Sequence, residues 1–168
     1  VSNSKWTEKL IKNKYGLPSE IIYPPVAGEF PVVPFSKREN GFVCIGRITP
    51  EKRIDVLLNI LNEVRKRGYS IHLHIAGEFD DSRYSDILKK LCSKHKDWVF
   101  LEGKVNQEEK KELIVKNRFG INGCLWDSFG ISVAEMVKGG CVVFTPNGGG
   151  QTEILGNSLL VYNSIEDA

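Results

Sequence analysis

Four side chains in this sequence could do chemistry together: Arg47, Lys52, Asp127 and Glu135. Asp127 stands just before a helical pattern, and Glu135 lies inside it. Carboxylates accept hydrogen bonds from hydroxyls, so two of them suit a sugar or a ribose. Arg47 follows a strand-like run, and Lys52 falls in the first turn of the helix expected next. A helix N-terminus already favours an anion through its free N–H groups and its dipole. Arg adds a planar fork and Lys a point charge, a combination suited to a diphosphate. The plainer reading makes Lys52 and Arg53 solvated surface charges and Asp127 a helix cap. Against it, cations are unfavourable at a helix N-terminus unless something offsets them. Glu135 is also flanked by Val133, Ala134, Met136 and Val137, and a charge in an apolar run tends to be paired or functional.

Gly148-Gly149-Gly150 follows a short apolar strand, Cys141 to Phe144. Consecutive glycines let backbone approach a ligand closely, although they also mark plain turns. The loop is neither GxGxxG nor a P-loop, so neither dinucleotide binding nor Walker-type phosphate transfer is indicated. His72 and His74 alternate on one strand face, the spacing of a two-ligand metal site. No third ligand stands out in the sequence, and they read as ordinary, partly buried histidines with no metal site assigned. No Ser-His-Asp or Cys-His arrangement can be argued.

The elements that must position these residues alternate strictly. Ser4 to Tyr15 reads as a helix with Trp6, Leu10 and Ile11 on one face, stopped by Gly16 and Pro18. Ile21 to Val26 is a short extended segment closed by two prolines, and Ala27 to Asn40 a surface loop or linker. Strands are expected at Phe42–Ile45, Ile71–Ala76, Trp98–Leu101, Phe119–Leu125, Cys141–Phe144 and Ser158–Tyr162. Between them lie helices starting at Thr49 with Pro50 at its first position, at Arg83 (to His95, with Tyr84, Ile87, Leu88 and Leu91 inward), at Asn106 with Glu109 completing a capping box, and before Glu135. A short helical turn is expected over Thr152–Leu155, and Ile165–Ala168 looks like the start of another helix. Ile54, Leu57, Leu58, Leu61 and Val64 make an amphipathic stripe. The alternation specifies an α/β, Rossmann-like parallel sheet with helices on both faces. Ligands bind such sheets beyond the carboxyl ends of the strands, where the glycine-bearing and charged junctions fall: Gly46–Lys52, Gly77–Glu78, Gly103–Val105, Leu125–Gly130 and Thr145–Gly150. Residues 1–41 read as a leading segment and 42–168 as the ligand-binding domain.

Composition bounds the partners. The 168 residues suit one domain, with 41% hydrophobic and 26% charged residues, ordinary for a globular protein. A net charge of +2, spread along helices among acids, gives no basis for nucleic-acid binding. Cys44, Cys92, Cys124 and Cys141 form no CxxC pair and read as buried free thiols of a reducing cytosol, hence a cytoplasmic protein. No signal peptide and no membrane-spanning run is present, and the chain reads as a piece of something longer.

Three segments, in order, resemble one family: the donor-binding C-terminal domain of retaining GT-B glycosyltransferases of family 4. Gly46-Arg47-Ile48-Thr49-Pro50-Glu51-Lys52 is similar to its G-R-x-x-x-x-K segment. Asp127-Ser128-Phe129-Gly130 through Glu135 is similar to its E-x-F-G-x-x-x-x-E signature, with Asp where the family has Glu. Gly149-Gly150-Gln151-Thr152-Glu153-Ile154 is similar to its G-G-x-x-E-I loop. Ile22-Tyr23-Pro24-Pro25-Val26 resembles the approach to this domain in mannosyltransferase-like members. Val142 stands where a proline is usual.

The resemblance implies that Arg47 and Lys52 hold the donor diphosphate, Glu135 the ribose hydroxyls and Asp127 the donor sugar. Gly46, Gly103, Val105, Phe129, Gly130, Ile131, Gly149, Gly150 and Glu153 would complete the donor site, with Gly103–Val105 near the base. The implied donor is a nucleotide sugar, GDP-mannose, used without a metal or other cofactor. The acceptor would be a glycan or lipid-linked glycan held by a preceding domain, with peripheral membrane association if it is a lipid, and this stretch alone would be inactive. The alternatives are a glycogen-synthase-like use of UDP- or ADP-glucose, or a non-catalytic nucleotide-binding module.

Overall fold

The computed structural model describes residues 1–79 and 83–167. Its elements run α1 (Lys5–Tyr15), β1 (Glu39–Ile45), α2 (Ile54–Lys66), β2 (His72–Ala76), α3 (Arg83–Ser93), β3 (Val99–Gly103), α4 (Gln107–Lys116), β4 (Asn117–Ile121), α5 (Ile131–Lys138), β5 (Val142–Pro146), α6 (Thr152–Leu155) and β6 (Val161–Tyr162). The strands form one sheet in the order β3-β2-β1-β4-β5-β6, and every pairing is parallel. The chain starts at the centre with β1, builds outward to β3, and crosses back through α4 to build the other half. This is the doubly wound arrangement, and its crossing point lies between β1 and β4.

The period of two in β1 supplies both cores. Phe42 and Cys44 join Leu57, Leu58 and Leu61 of α2 and Leu88 of α3 on one face. Val43 joins Ile114 of α4 and Val133 and Met136 of α5 on the other. The expected α2 stripe is buried at Ile54, Leu57, Leu58 and Leu61. In α3, Leu88 is buried and Tyr84 and Leu91 pack beside it, but Ile87 is 51% exposed; Cys92 takes the inward position one turn on. The Asn106–Glu109 capping box forms as expected.

The helix expected at Thr49 begins later. Residues Pro50–Lys52 form a separate 3-10 turn, and Arg53 adopts a left-handed conformation (φ 48°) that breaks it from α2. Thr49 makes no side-chain cap. The cap comes from α3 instead: the Tyr84 hydroxyl accepts from Ile54 N–H at 2.8 Å and donates to Asp55 at 2.9 Å. Burial, with Asp55 beside it, pushes the Tyr84 phenol well above its ordinary pKa. β4 ends at Ile121 rather than Leu125, because residues 122–126 turn into the loop that carries Asp127. Residues 165–167 form a turn, and Ala168 lies outside the described residues.

The leading segment is tied to the sheet. β1 already begins at Glu39, and buried Arg38 donates to the carbonyls of Val33, Asn117 and Gly139. α1 starts at Lys5 with Ser4 as its cap and ends, as expected, at a left-handed Gly16, yet none of its residues is buried. Its stripe therefore rests on little, and Leu10 is 47% exposed.

Candidate functional site

The loops after β1, β2, β3, β4 and β5 meet at one edge of the sheet, joined by backbone contacts that glycines permit. Gly77 N–H donates to Gly103 O at 2.8 Å, and a Cβ on Gly77 would fall 1.8 Å from Gly46 O. Gly123 lets the 3-10 turn sit on the loop after β4, since a Cβ there would lie 2.4 Å from Lys52 O. Gly46, at φ 145°, leaves room for the Lys52 stem, whose Cε would be 3.4 Å from a Cβ.

These approaches bring Lys52 to Asp127, 75 residues away, with Nζ donating to Oδ2 at 3.1 Å. Both side chains are 22% exposed, so solvent and a ligand can reach the pair. Asp127 lies in the loop that leads into α5. Gly130, at φ 91°, occupies the N-cap of α5 and supplies no side-chain cap, which leaves the first N–H groups of the helix free for an acceptor. Phe129 is buried with its ring 5.8 Å from that of Tyr23, and Ile131 opens the helix at 53% exposure. Arg47 is exposed and forms no ion pair among the described residues, so its guanidinium is available to an anion.

Glu135 sits one turn further along α5. Its Oε1 accepts from Lys110 Nζ of α4 at 2.6 Å, with the side chains 13% and 15% exposed. The sequence reading had no place for Lys110. It falls among Glu108, Glu109, Lys111 and Glu112, and only the need of a half-buried acid for a partner hints at it.

The glycine loop packs against the loop that carries Asp127. Gly150 N–H donates to Asp127 O at 2.7 Å. A Cβ on Gly149 would lie 2.5 Å from Asp127 O, and one on Gly148 2.4 Å from Leu125 O. The glycines press this loop against the backbone that carries Asp127, so at Gly150 the N–H is already used. Gln151, fully buried, completes the anchor with Nε2 donating to Cys124 O at 2.5 Å, while its Oε1 finds no partner among the described residues. Glu153 turns toward the leading segment: it accepts from the N–H groups of Lys5 (3.0 Å) and Trp6 (2.8 Å) and from the Tyr23 hydroxyl (3.0 Å). It caps α1. Gly103 (φ 69°) and partly buried Val105 lie at the mouth beside the Lys104–Glu78 pair, and nothing crowds a Cβ position on Gly103.

An apolar groove of about 360 Å³, lined by Phe42, Ile60, Val64, Phe119, Phe144 and Tyr162 among others, is on the sheet face away from this edge. The polar groups that could read a nucleotide are at the strand ends, in an open site. No helix among the described residues is long and apolar enough to cross a membrane. All four cysteines are free and buried, as expected.

Solved structures share this architecture. HepE from Anabaena, crystallised with UDP and glucose, superposes over 99% of this chain and 50% of its own, with a TM-score of 0.78 and 13% identity. WaaG, a glycosyltransferase of lipopolysaccharide biosynthesis, does so over 98% and 50%, with a TM-score of 0.72 and 17% identity. The fold is therefore α/β and Rossmann-like, with GT-B glycosyltransferases as its structural neighbours. The chain itself belongs to the family described as glycosyl transferases group 1, whose model matches residues 28–163. Among curated relatives, the mouse GDP-Man:Man(3)GlcNAc(2)-PP-Dol alpha-1,2-mannosyltransferase is 28% identical over 165 residues, covering 88% of this chain and 34% of that protein. The GPI3 subunit of the Saccharomyces cerevisiae phosphatidylinositol N-acetylglucosaminyltransferase is 26% identical over 129 residues, covering 76% and 28%. The chain thus spans about a third of the length of the curated relatives it matches.

Proposed function

We propose that this chain is the donor-binding domain of a retaining glycosyltransferase that transfers mannose from GDP-mannose to a glycan or lipid-linked acceptor. The observation that carries the reading is the Lys52–Asp127 pair set before the uncapped N-terminus of α5. A cation and an acid on one spot serve opposite ends of a nucleotide sugar. The diphosphate takes the Lys52 ammonium, the Arg47 guanidinium and the helix N–H groups. The carboxylate released from Lys52 accepts a hydroxyl of the sugar. As the nucleoside diphosphate departs from the face on which the acceptor attacks, the charge that develops on it falls on these same groups. They supply positive field without a metal at the diphosphate. Glu135, held by Lys110 through Oε1, presents its remaining oxygen to the ribose hydroxyls.

The mannose donor is supported by the similarity to the dolichol-pathway mannosyltransferase. A UDP-sugar is the second reading, favoured by the N-acetylglucosaminyltransferase relative and by the UDP-bound structural neighbours. The acceptor would be bound outside this chain, so the chain alone is expected to bind donor without transferring sugar. Calorimetric titration with GDP, GDP-mannose, UDP, UDP-glucose and UDP-N-acetylglucosamine tests the reading. GDP and GDP-mannose should bind, and Arg47→Ala with Glu135→Ala should abolish the heat. Silence from every nucleotide at millimolar concentration, or binding indifferent to those substitutions, would sink it. A preference for the uridine series would transfer it to the second donor class.

A further inference from the structure

At the opposite, amino-terminal ends of β1 and β2 the fold assembles a second polar cluster. His72 and His74 share one face of β2, their rings edge to face with centroids 5.1 Å apart. Glu39, which opens β1, brings Oε2 to 3.3 Å from His72 Nε2. One ligating atom from each of Glu39, His72 and His74 lies within 4.8 Å of the others. This third group was invisible in the sequence because it stands more than thirty residues before the histidines and meets them only across the sheet.

Two features beyond proximity favour a ligand. His74 Nδ1 is 2.6 Å from Glu102 Oε1 on β3, the carboxylate–histidine arrangement that fixes the proton on one ring nitrogen and leaves Nε2 as a lone-pair donor. Phe100, stacked on the His74 ring at 5.0 Å, holds its orientation. The second feature is Gly41, a glycine in the middle of a strand at no unusual φ. A Cβ there would lie 2.2 Å from His72 Nε2 and 2.1 Å from Asn117 Oδ1. Glycine weakens a strand, and one retained inside it marks a close approach. Here it opens the space in which His72, Asn117 and Glu39 converge.

We propose that Glu39, His72 and His74 bind a divalent cation of the borderline class, Zn²⁺ foremost, as a clamp between β1 and β2. Zn–N distances of about 2.0–2.1 Å and Zn–O distances of about 2.0–2.2 Å place tetrahedral ligand atoms about 3.4 Å apart. The Glu39–His72 contact already has that separation. Imidazole and carboxylate suit Zn²⁺ and exclude the all-oxygen preference of Mg²⁺ and Ca²⁺. Binding takes the lone pair at His72 Nε2, shifts its proton to Nδ1 and displaces the Asn117 amide, which is 3.2 Å away. It also displaces Lys116, whose Nζ is 3.2 Å from Glu39 Oε1 on a side chain 53% exposed and free to swing out. The clamp is remote from the strand ends where Gly46 and Gly77 lie, so its role is structural, distinct from the proposed donor site.

The test titrates the chelator-treated full chain with Zn²⁺ by calorimetry and with Co²⁺ by absorption, following histidine ring signals by NMR. One equivalent should bind, moving the resonances of His72 and His74 but not of His95, the third histidine in the chain. His72→Ala with His74→Ala should cut affinity at least a hundredfold. Glu102→Gln should weaken it about 10- to 100-fold, the usual cost of losing an outer partner. Lys116→Ala removes the competing ammonium and should tighten binding, a gain that no folding defect can mimic. Absence of saturable binding in both the wild type and Lys116→Ala overturns the proposal and leaves a plain hydrogen-bond network. So does equal affinity in the double histidine variant, which would place the metal elsewhere.

Discussion

Two lysine–carboxylate pairs of the same chemistry stand in different surroundings. Lys52–Asp127 joins two loops at 3.1 Å with both side chains 22% exposed. Lys110–Glu135 joins two helices at 2.6 Å with the side chains 15% and 13% exposed. The first is the more exposed of the two and joins loops, so a ligand anion can compete for the lysine at smaller cost. The second is drier and tighter, and neither member can leave without stranding the other. Proximity of opposite charges therefore does not define a role. The openness of the pair decides whether it is a switchable contact or a fixed support.

The comparison breaks first at the glycine loop. Gly149 is at φ 72°, and a Cβ on it would strike the backbone that carries Asp127. Gly149→Ala combines overpacking with left-handed strain and should cost about 3 kcal/mol in urea unfolding, with loss of the Lys52–Asp127 geometry. If it unfolds like the wild type, the loop is not the anchor described. Next is the drier pair. Glu135→Ala should destabilise by about 2–3 kcal/mol, below the value for a fully buried pair because some solvent reaches it. Restoring most of that loss by Lys110→Met in the same chain would show that the stranded ammonium is the cause.

The open pair should behave oppositely. Lys52→Ala should change stability by no more than about 1 kcal/mol, yet weaken GDP about 10- to 100-fold if the lysine meets the diphosphate. A large stability loss with unchanged GDP affinity would invert the assignment of the two pairs. The smallest effect is an expected silence. Burial pushes the Cys44 thiol up to about 12 and those of Cys92 and Cys141 to about 11. At pH 8 these three should resist a thiol reagent in the folded chain and react after denaturation, as mass spectrometry of the labelled peptides would show.

The alternation of strands and helices was legible because apolar periodicity is local: β1 and the Ile54–Leu61 stripe needed only their own residues. The Asn106–Glu109 box was legible for the same reason, since both halves lie within one turn. What failed was any feature whose partner is distant. Thr49 looked like a cap, but Arg53 breaks the chain there and Tyr84 does the capping. The contact of Glu153 with the start of α1 was likewise out of reach of any local pattern. Lys110 and Gln151 gave no local signal, because a salt-bridging lysine and an anchoring glutamine look like surface residues until something packs over them.

The sequence by itself determined the parallel α/β class, the order of its strands and helices, and the strand-end segments that carry Arg47, Lys52, Asp127 and Glu135. Those follow from hydrophobic period and glycine placement, which act over a few residues. Only the tertiary structure decided which charges meet. Lys52 reaches Asp127 and Glu39 reaches His72 because a doubly wound sheet brings distant strand ends side by side, and Lys110 reaches Glu135 because it packs α4 and α5 on the same face. A charge pair is set by that three-dimensional adjacency, which no local pattern encodes.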